Sequence, residues 1–179
     1  MKYEVIDNFL DKEYFDELVT LLMGKEIGHE TYIMPWFFQS SITHSKGYQK
    51  WAGSSNLFYM THKFYEYHMP ISPFYDKITP LLKKLEVQGL LRVKGNFYPN
   101  TEILHEHQMH ADYNFAHSGA ILSLNTCDGY TKLSDDTKID SVANRILLFD
   151  PSEEHCSTTT TNVPARFNIN INYIQGQKL

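Results

Sequence analysis

The chain has 179 residues, a formal net charge of −5, 42% hydrophobic and 21% charged residues, and 12 Tyr with 11 Phe. That length fits a single domain with a sizeable core, and the aromatic content excludes a disordered chain. With no basic run, no membrane-length apolar run and no apolar leader in "MKYEVIDNFLDKEYF", neither a membrane nor a nucleic acid partner is expected. Two cysteines, Cys127 and Cys156, give no disulfide framework, which fits a reducing cytoplasm.

"YEVID" alternates as a strand would. Asp11 can then cap a helix whose Phe15, Leu18 and Leu22 share a face and which Gly24 can close. "YIMPWFF" and "NLFYM" read as strands around a loop rich in Ser, Gly and Lys; loop 40–56 and "MPWFFQ" are either a cover for a substrate entrance or core plus surface loop. "SPFYDKITPLLKKL" predicts a helix with Ser72 as cap and Pro73 in the first turn, buried through Ile78, Leu81, Leu82 and Leu85, and broken or restarted at Pro80. From about residue 90 the texture changes. "LRVKGNFY", "AILSLN", "GYTKL", "TKIDSV", "RILLF" and "RFNININY" are short strands separated by turn residues, with "SDD" at 134–136 as a hairpin tip. Helices first and strands after predict an α+β, mainly β chain: helices packed outside a two-sheet jelly roll. The expected division of the single domain 1–179 is a helical support region, 1–90, and a jelly-roll core, 91–175.

The segment "HEHQMHADYNF", residues 105–115, concentrates metal-ligand chemistry. If extended, it projects His110 and Asp112 to one side, because strand side chains alternate. His155, after the buried-looking strand "RILLFDP", is the best third ligand. Two imidazoles and a carboxylate on one face of a divalent ion leave positions open, which suits non-haem Fe(II). A competing set, His105 and His107 with Asp112, is similar to the cupin arrangement, though "DPSEEH" lacks the PxG of the second cupin motif. His29, His44, His62 and His68 read as surface or satisfied core histidines, His117, five after Asp112, as a solvated loop residue ahead of the alternative of a group backing the ligands, and Glu106 and Asp140 as solvated charges. In "ARFNININY", Arg166, Asn168, Asn170 and Asn172 share one face and Phe167, Ile169, Ile171 and Tyr173 the other. The polar face either meets water or lines a barrel interior where Arg166 offers a bidentate fork to an anion.

From Arg92 to Tyr173 the chain resembles the 2-oxoglutarate/Fe(II)-dependent oxygenases, in particular the prolyl-4-hydroxylase-like branch. "NFYPN" precedes "HAD"; "AILSLN" follows; "GYTKL" stands where the family has a GGxT-like turn, with Tyr130 in place of the second Gly; "SVANRILLFD" leads to His155, and Arg166 follows by eleven positions. "VIDNFLDKEYFDELV" is similar to the opening of this branch. The resemblance implies a double-stranded β-helix in which His110, Asp112 and His155 hold Fe(II). It implies that Arg166, with Tyr98, binds the distal carboxylate of 2-oxoglutarate. Asn168, where many members have Ser or Thr, and Ser123, at a position that can be aromatic, are the remaining co-substrate contacts it implies. Fe(II), 2-oxoglutarate and O2 would then support hydroxylation of an unactivated C–H bond on a prolyl or other side chain of a protein or peptide, or on a small molecule. A cupin-like metalloprotein without 2-oxoglutarate and a non-catalytic binding module are the alternatives.

Overall fold

In the computed structural model, residues 2–27, 30–32, 34–40 and 58–176 are described. The strands are β1 (Tyr3–Ile6), β2 (Lys25–Ile27), β3 (Glu30–Tyr32), β4 (Phe37–Gln39), β5 (Tyr59–Glu66), β6 (Met69–Pro70), β7 (Val87–Pro99), β8 (Ser118–Ser123), β9 (Tyr130–Leu133), β10 (Lys138–Asp140), β11 (Ile146–Phe149), β12 (His155–Ser157) and β13 (Ala165–Gln175). The helices are α1 (Lys12–Met23) and α2 (Tyr75–Lys84). His29, His44 and all of loop 40–56 except residue 40 lie outside the described residues, and the entrance-cover reading of that loop lies there too.

The major sheet runs β1-β11-β8-β13-β7-β5-β4, with β6 beside β5; a smaller sheet runs β10-β9-β12, and β2 pairs β3. Every named strand pair is antiparallel. The architecture is the expected mainly-β jelly roll with helices outside. Strands from the first half of the chain, β1, β4, β5 and β6, also join the major sheet.

The alternation in "RFNININY" is what divides the molecule into layers. On the outer side of β13, Phe167, Ile169, Ile171 and Tyr173 join Phe15, Leu18 and Leu22 of α1 and Ile78, Leu81 and Leu82 of α2 in the main core. On the inner side, Ile121, Leu133, Leu147 and Phe149 form a second apolar cluster between the sheets. β13 lies between β7 and β8 and is buried from Ala165 to Tyr173, so its asparagines do not meet bulk water.

α1 starts as its sequence demands: the Asp11 carboxylate accepts from the Tyr14 N–H, and Gly24 closes the helix at φ 81. α2 departs from expectation in two respects. Its N-cap is Phe74, while the Ser72 hydroxyl accepts from the Phe74 N–H, so the turn set by Ser72 precedes the helix. Pro80 does not break it. A proline removes the N–H that would reach Asp76 O, and its ring crowds the preceding turn. Here the Thr79 hydroxyl donates to Asp76 O at 2.7 Å. The Tyr14 hydroxyl then inserts one residue on, donating to Lys77 O at 2.9 Å and accepting from the Leu81 N–H at 3.3 Å. α1 thus repairs the ladder of α2.

Candidate metal and co-substrate site

The segment between β7 and β8 is not a regular strand, in contrast to the extended reading of "MHADYNF". It is tethered to the other side at isolated points. The His107 N–H donates to Ser157 O and the Thr159 N–H to His105 O. His110 and His155 exchange both backbone bonds, at 3.0 and 2.9 Å, and the Asp112 N–H donates to Pro151 O at 2.9 Å. These bonds carry the HxD pair to the start of β12, where His155 sits.

Ligand atoms of His110, Asp112 and His155 lie within 4.8 Å of one another, and this is the one group of three or more such residues among those described. Nδ1 of His110 faces Gln108 O at 3.1 Å, and Nδ1 of His155 faces Glu153 O at 3.0 Å. A carbonyl only accepts, so Nδ1 carries the proton in both rings and Nε2 keeps its lone pair. Burial holds both histidines below the usual imidazole range, His155 at about 4. Both are therefore neutral near pH 7, as a metal ligand must be. Burial alone would push the Asp112 carboxyl up. Arg92, then Lys94 and His155, outweigh it and hold Asp112 well below the usual carboxylate range.

Asp112 is also fixed in orientation. Oδ1 accepts from Arg92 Nη2 at 2.7 Å; Oδ2 accepts from Asn172 Nδ2 at 3.0 Å and Asn170 Nδ2 at 3.3 Å. His117 is not a solvated loop residue. It is buried, and its Nε2 lies 2.8 Å from Asn172 Oδ1, so it steadies the amide that holds Asp112. Glu106, read as a solvated charge, is exposed but accepts from the Tyr130 hydroxyl at 2.6 Å and Lys132 at 3.2 Å.

Arg166 lies four residues from Asn170 along the inner face of β13, about 13 Å of strand. It is only 1% exposed. It donates to Thr131 Oγ1 at 3.0 Å and Thr158 O at 3.3 Å, and packs its guanidinium over the Tyr98 ring at 5.5 Å. Gly129 makes room for it, since a Cβ there would lie 2.8 Å from Arg166 Cδ and 2.6 Å from Thr159 O. Asn168 accepts from Asn96 Nδ2 at 2.8 Å, and Ser123 is its neighbour on β8. His105 and His107 do not join the triad. Nδ1 of His107 faces Ser157 O at 2.9 Å, and its ring lies against Tyr98 at 5.4 Å.

The residues present fit both implied groups. The triad is a three-donor face of neutral nitrogen and anionic oxygen, suited to a divalent transition metal with open positions. Buried Arg166 Nε and His107 Nε2 lack hydrogen-bond partners among the described residues, an expensive state unless something polar occupies the space between the sheets. An anion on the Arg166 fork would satisfy the first.

Sequence reasoning missed Arg92, Lys94 and Asn96, and ranked the supporting place of His117 second; no side-chain type alone shows these contacts. The signal for the first three was the inner row of "LRVKGNFY", which pairs residue for residue with that of "RFNININY".

No family model matches the chain, and no curated protein matches it. Solved structures do. An oxidoreductase of the 2OG-Fe(II) oxygenase family from Burkholderia pseudomallei superposes with a TM-score of 0.67 at 9% identity, over 98% of this chain and 86% of that one. The viral collagen prolyl hydroxylase of Paramecium bursaria Chlorella virus-1 gives 0.57 at 15%, over 99% and 97%. A Trichoplax adhaerens prolyl hydroxylase, solved with a hypoxia inducible factor peptide fragment, gives 0.57 at 13%, over 97% and 83%. The fold is therefore that of the 2-oxoglutarate/Fe(II) oxygenases, including prolyl hydroxylases.

Proposed function

We propose that this protein is an Fe(II)- and 2-oxoglutarate-dependent dioxygenase that hydroxylates an unactivated C–H bond. The observation that carries the reading is the inner face of β13. One strand presents Arg166 at one end and, through Asn170 and Asn172, holds the Asp112 of the His-Asp-His group at the other.

His110, Asp112 and His155 would hold the metal. Arg166, braced by Thr131 and Tyr98, would bind the distal carboxylate of the co-substrate; Asn168 and Ser123 line the same face as weaker contacts. When bound, iron and 2-oxoglutarate supply the oxidative chemistry: one oxygen atom of O2 enters the substrate as hydroxyl, the other enters succinate, and CO2 leaves. The chain's own contribution is placement. Carbonyl-anchored Nδ1 atoms aim both imidazoles, Arg92 and the two asparagines aim the carboxylate, and Arg166 fixes the far end of the diacid. The apolar cluster of Ile121, Leu133, Leu147 and Phe149 flanks the site on one side and limits water there.

The Trichoplax enzyme's peptide complex supports a protein or peptide substrate; the site residues themselves fit a small molecule equally. No helix among the described residues is long and apolar enough to cross a membrane.

The test is an anaerobic titration of metal-free protein with Fe(II), then 2-oxoglutarate, followed by the visible band of the chelate. His110→Ala, Asp112→Ala and His155→Ala should each abolish metal retention. Arg166→Ala should keep the metal and weaken 2-oxoglutarate by about tenfold or more, the loss of a charge-assisted pair. Metal retained by the triad variants but lost with His105→Ala and His107→Ala would instead establish the cupin-like assignment.

A further inference from the structure

The inner row of β7 reads Arg92, Lys94, Asn96, Tyr98, and the β7–β13 register sets these opposite Asn172, Asn170, Asn168 and Arg166. Three of the four β7 groups have evident work. Arg92 holds Asp112, Asn96 holds Asn168, and Tyr98 lies under Arg166. Lys94 does not. Among the described residues its ammonium makes no hydrogen bond or ion pair, and its neighbour is the face of the Tyr59 ring at 5.9 Å. Two carboxylates act on it, Asp112 and Glu66. The first is held by Arg92, Asn170 and Asn172, the second by Lys63.

Charge makes this arrangement costly. With Glu66 matched by Lys63, Arg92, Lys94 and Arg166 are left to face Asp112 alone. A divalent ion at the triad adds two positive charges, and dianionic 2-oxoglutarate on Arg166 removes two. The inner face still carries a twofold positive excess, concentrated where Lys94 and Arg92 flank the metal position. A partly buried ammonium without a counter-charge is unfavourable, and it gains most from an anion that arrives with the remaining reactant.

We propose that the primary substrate is an anion, whose carboxylate or phosphate group docks on Lys94 beside the triad and thereby sets which molecule is oxidised. Arg92, whose Nε is buried without a hydrogen-bond partner among the described residues, lends a second positive charge to the same place. Lys94 is in this sense a specificity-determining residue, and the inference rests on the dioxygenase reading above.

The experiment uses the whole protein loaded with Mn(II), a redox-inert paramagnetic stand-in, and saturating 2-oxoglutarate, so that Arg166 is occupied. The probes are inorganic phosphate and acetate, with trimethyl phosphate and acetamide as uncharged counterparts, read by Mn(II)-enhanced nuclear relaxation of phosphorus and carbon. Phosphate or acetate should show saturable enhancement and the uncharged probes none; whichever anion saturates at lower concentration identifies the group. Lys94→Met should weaken that anion about tenfold or more while keeping Mn(II) and 2-oxoglutarate, and Lys94→Arg should restore it. Equal behaviour of charged and uncharged probes in the unaltered protein overturns the inference without any variant. So does an unchanged response in Lys94→Met. Failure of the unaltered protein to hold Mn(II) and 2-oxoglutarate is a separate result: it removes the dioxygenase reading, and this inference with it.

Discussion

Asn172 shows how much of the order in the candidate metal site resides in residues outside the His-Asp-His group. It is fully buried, donates to Asp112 Oδ2, also donates to Asn170 Oδ1 at 2.9 Å, and meets His117 with its own oxygen. Asn172→Ala should therefore lower metal affinity by about ten- to hundredfold with the ligands intact. Equilibrium dialysis against Mn(II) checks this; an unchanged constant would mean that Arg92 alone orients Asp112. Four residues of the candidate site, His110, Asp112, His155 and Arg166, could be named from the sequence because their types and order carry the resemblance, and the fold brings the first three together. Arg92 and Lys94 were legible only as one side of an alternating strand, and nothing in "LRVK" or "FAHSG" shows what that side or His117 will face. Their roles depend on strand register, and a one-residue slip would turn the row outward.

At the scale of elements, α2 depends on α1. Helix propensity reads Pro80 as an end, and that reading fails because the missing bonds are supplied by Thr79 and by Tyr14, which lies 63 residues before the Lys77 carbonyl that it meets. Tyr14→Phe should destabilise the protein by about 1–2 kcal/mol, since it strands Lys77 O and the Leu81 N–H. Combined with Pro80→Ala the cost should shrink, because a regular helix closes its own ladder; urea denaturation of the double-mutant cycle measures the coupling. Additive losses would show that the hydroxyl is not bridging the break. α1 was readable in full, since its cap, apolar face and closing glycine are all local. The strands after residue 90 were readable as strands, but the HxD segment was not: its backbone is shaped by tethers to residues 151–159, far along the chain.

Over the whole molecule, the buried imidazoles make stability depend on pH. His155 and His107 are both pushed by burial to about 4 in the folded protein. An unfolded chain takes up these protons near 6.5, so acidification favours unfolding over that window. The metal-free protein should keep full stability above about pH 6.5, lose up to about 3 kcal/mol per histidine between about 6.5 and 4, and level off in this contribution below. Asp112, whose folded value is depressed, adds a further loss only at lower pH, as its stabilisation falls away below the ordinary carboxylate range. Denaturant midpoints from pH 7.5 to 4 test this, and a flat profile would place both rings in water. The two-sheet class was legible in the sequence from the density of short alternating strands. The entry of β1, β4 and β5 into the major sheet was not, because pairing partners are set by tertiary closure.

The place of β13 also has a consequence for synthesis. It follows the other strands in sequence yet occupies the middle of the major sheet, between β7 and β8. Until residues 165–175 have left the ribosome, those two strands have no common neighbour and their facing edges stay open to wrong partners. The same delay withholds Arg166, Asn170 and Asn172. A nascent chain can therefore present the histidines and Asp112 but neither the anion fork nor the amides that aim the carboxylate, so the candidate site is complete only after translation has passed β13.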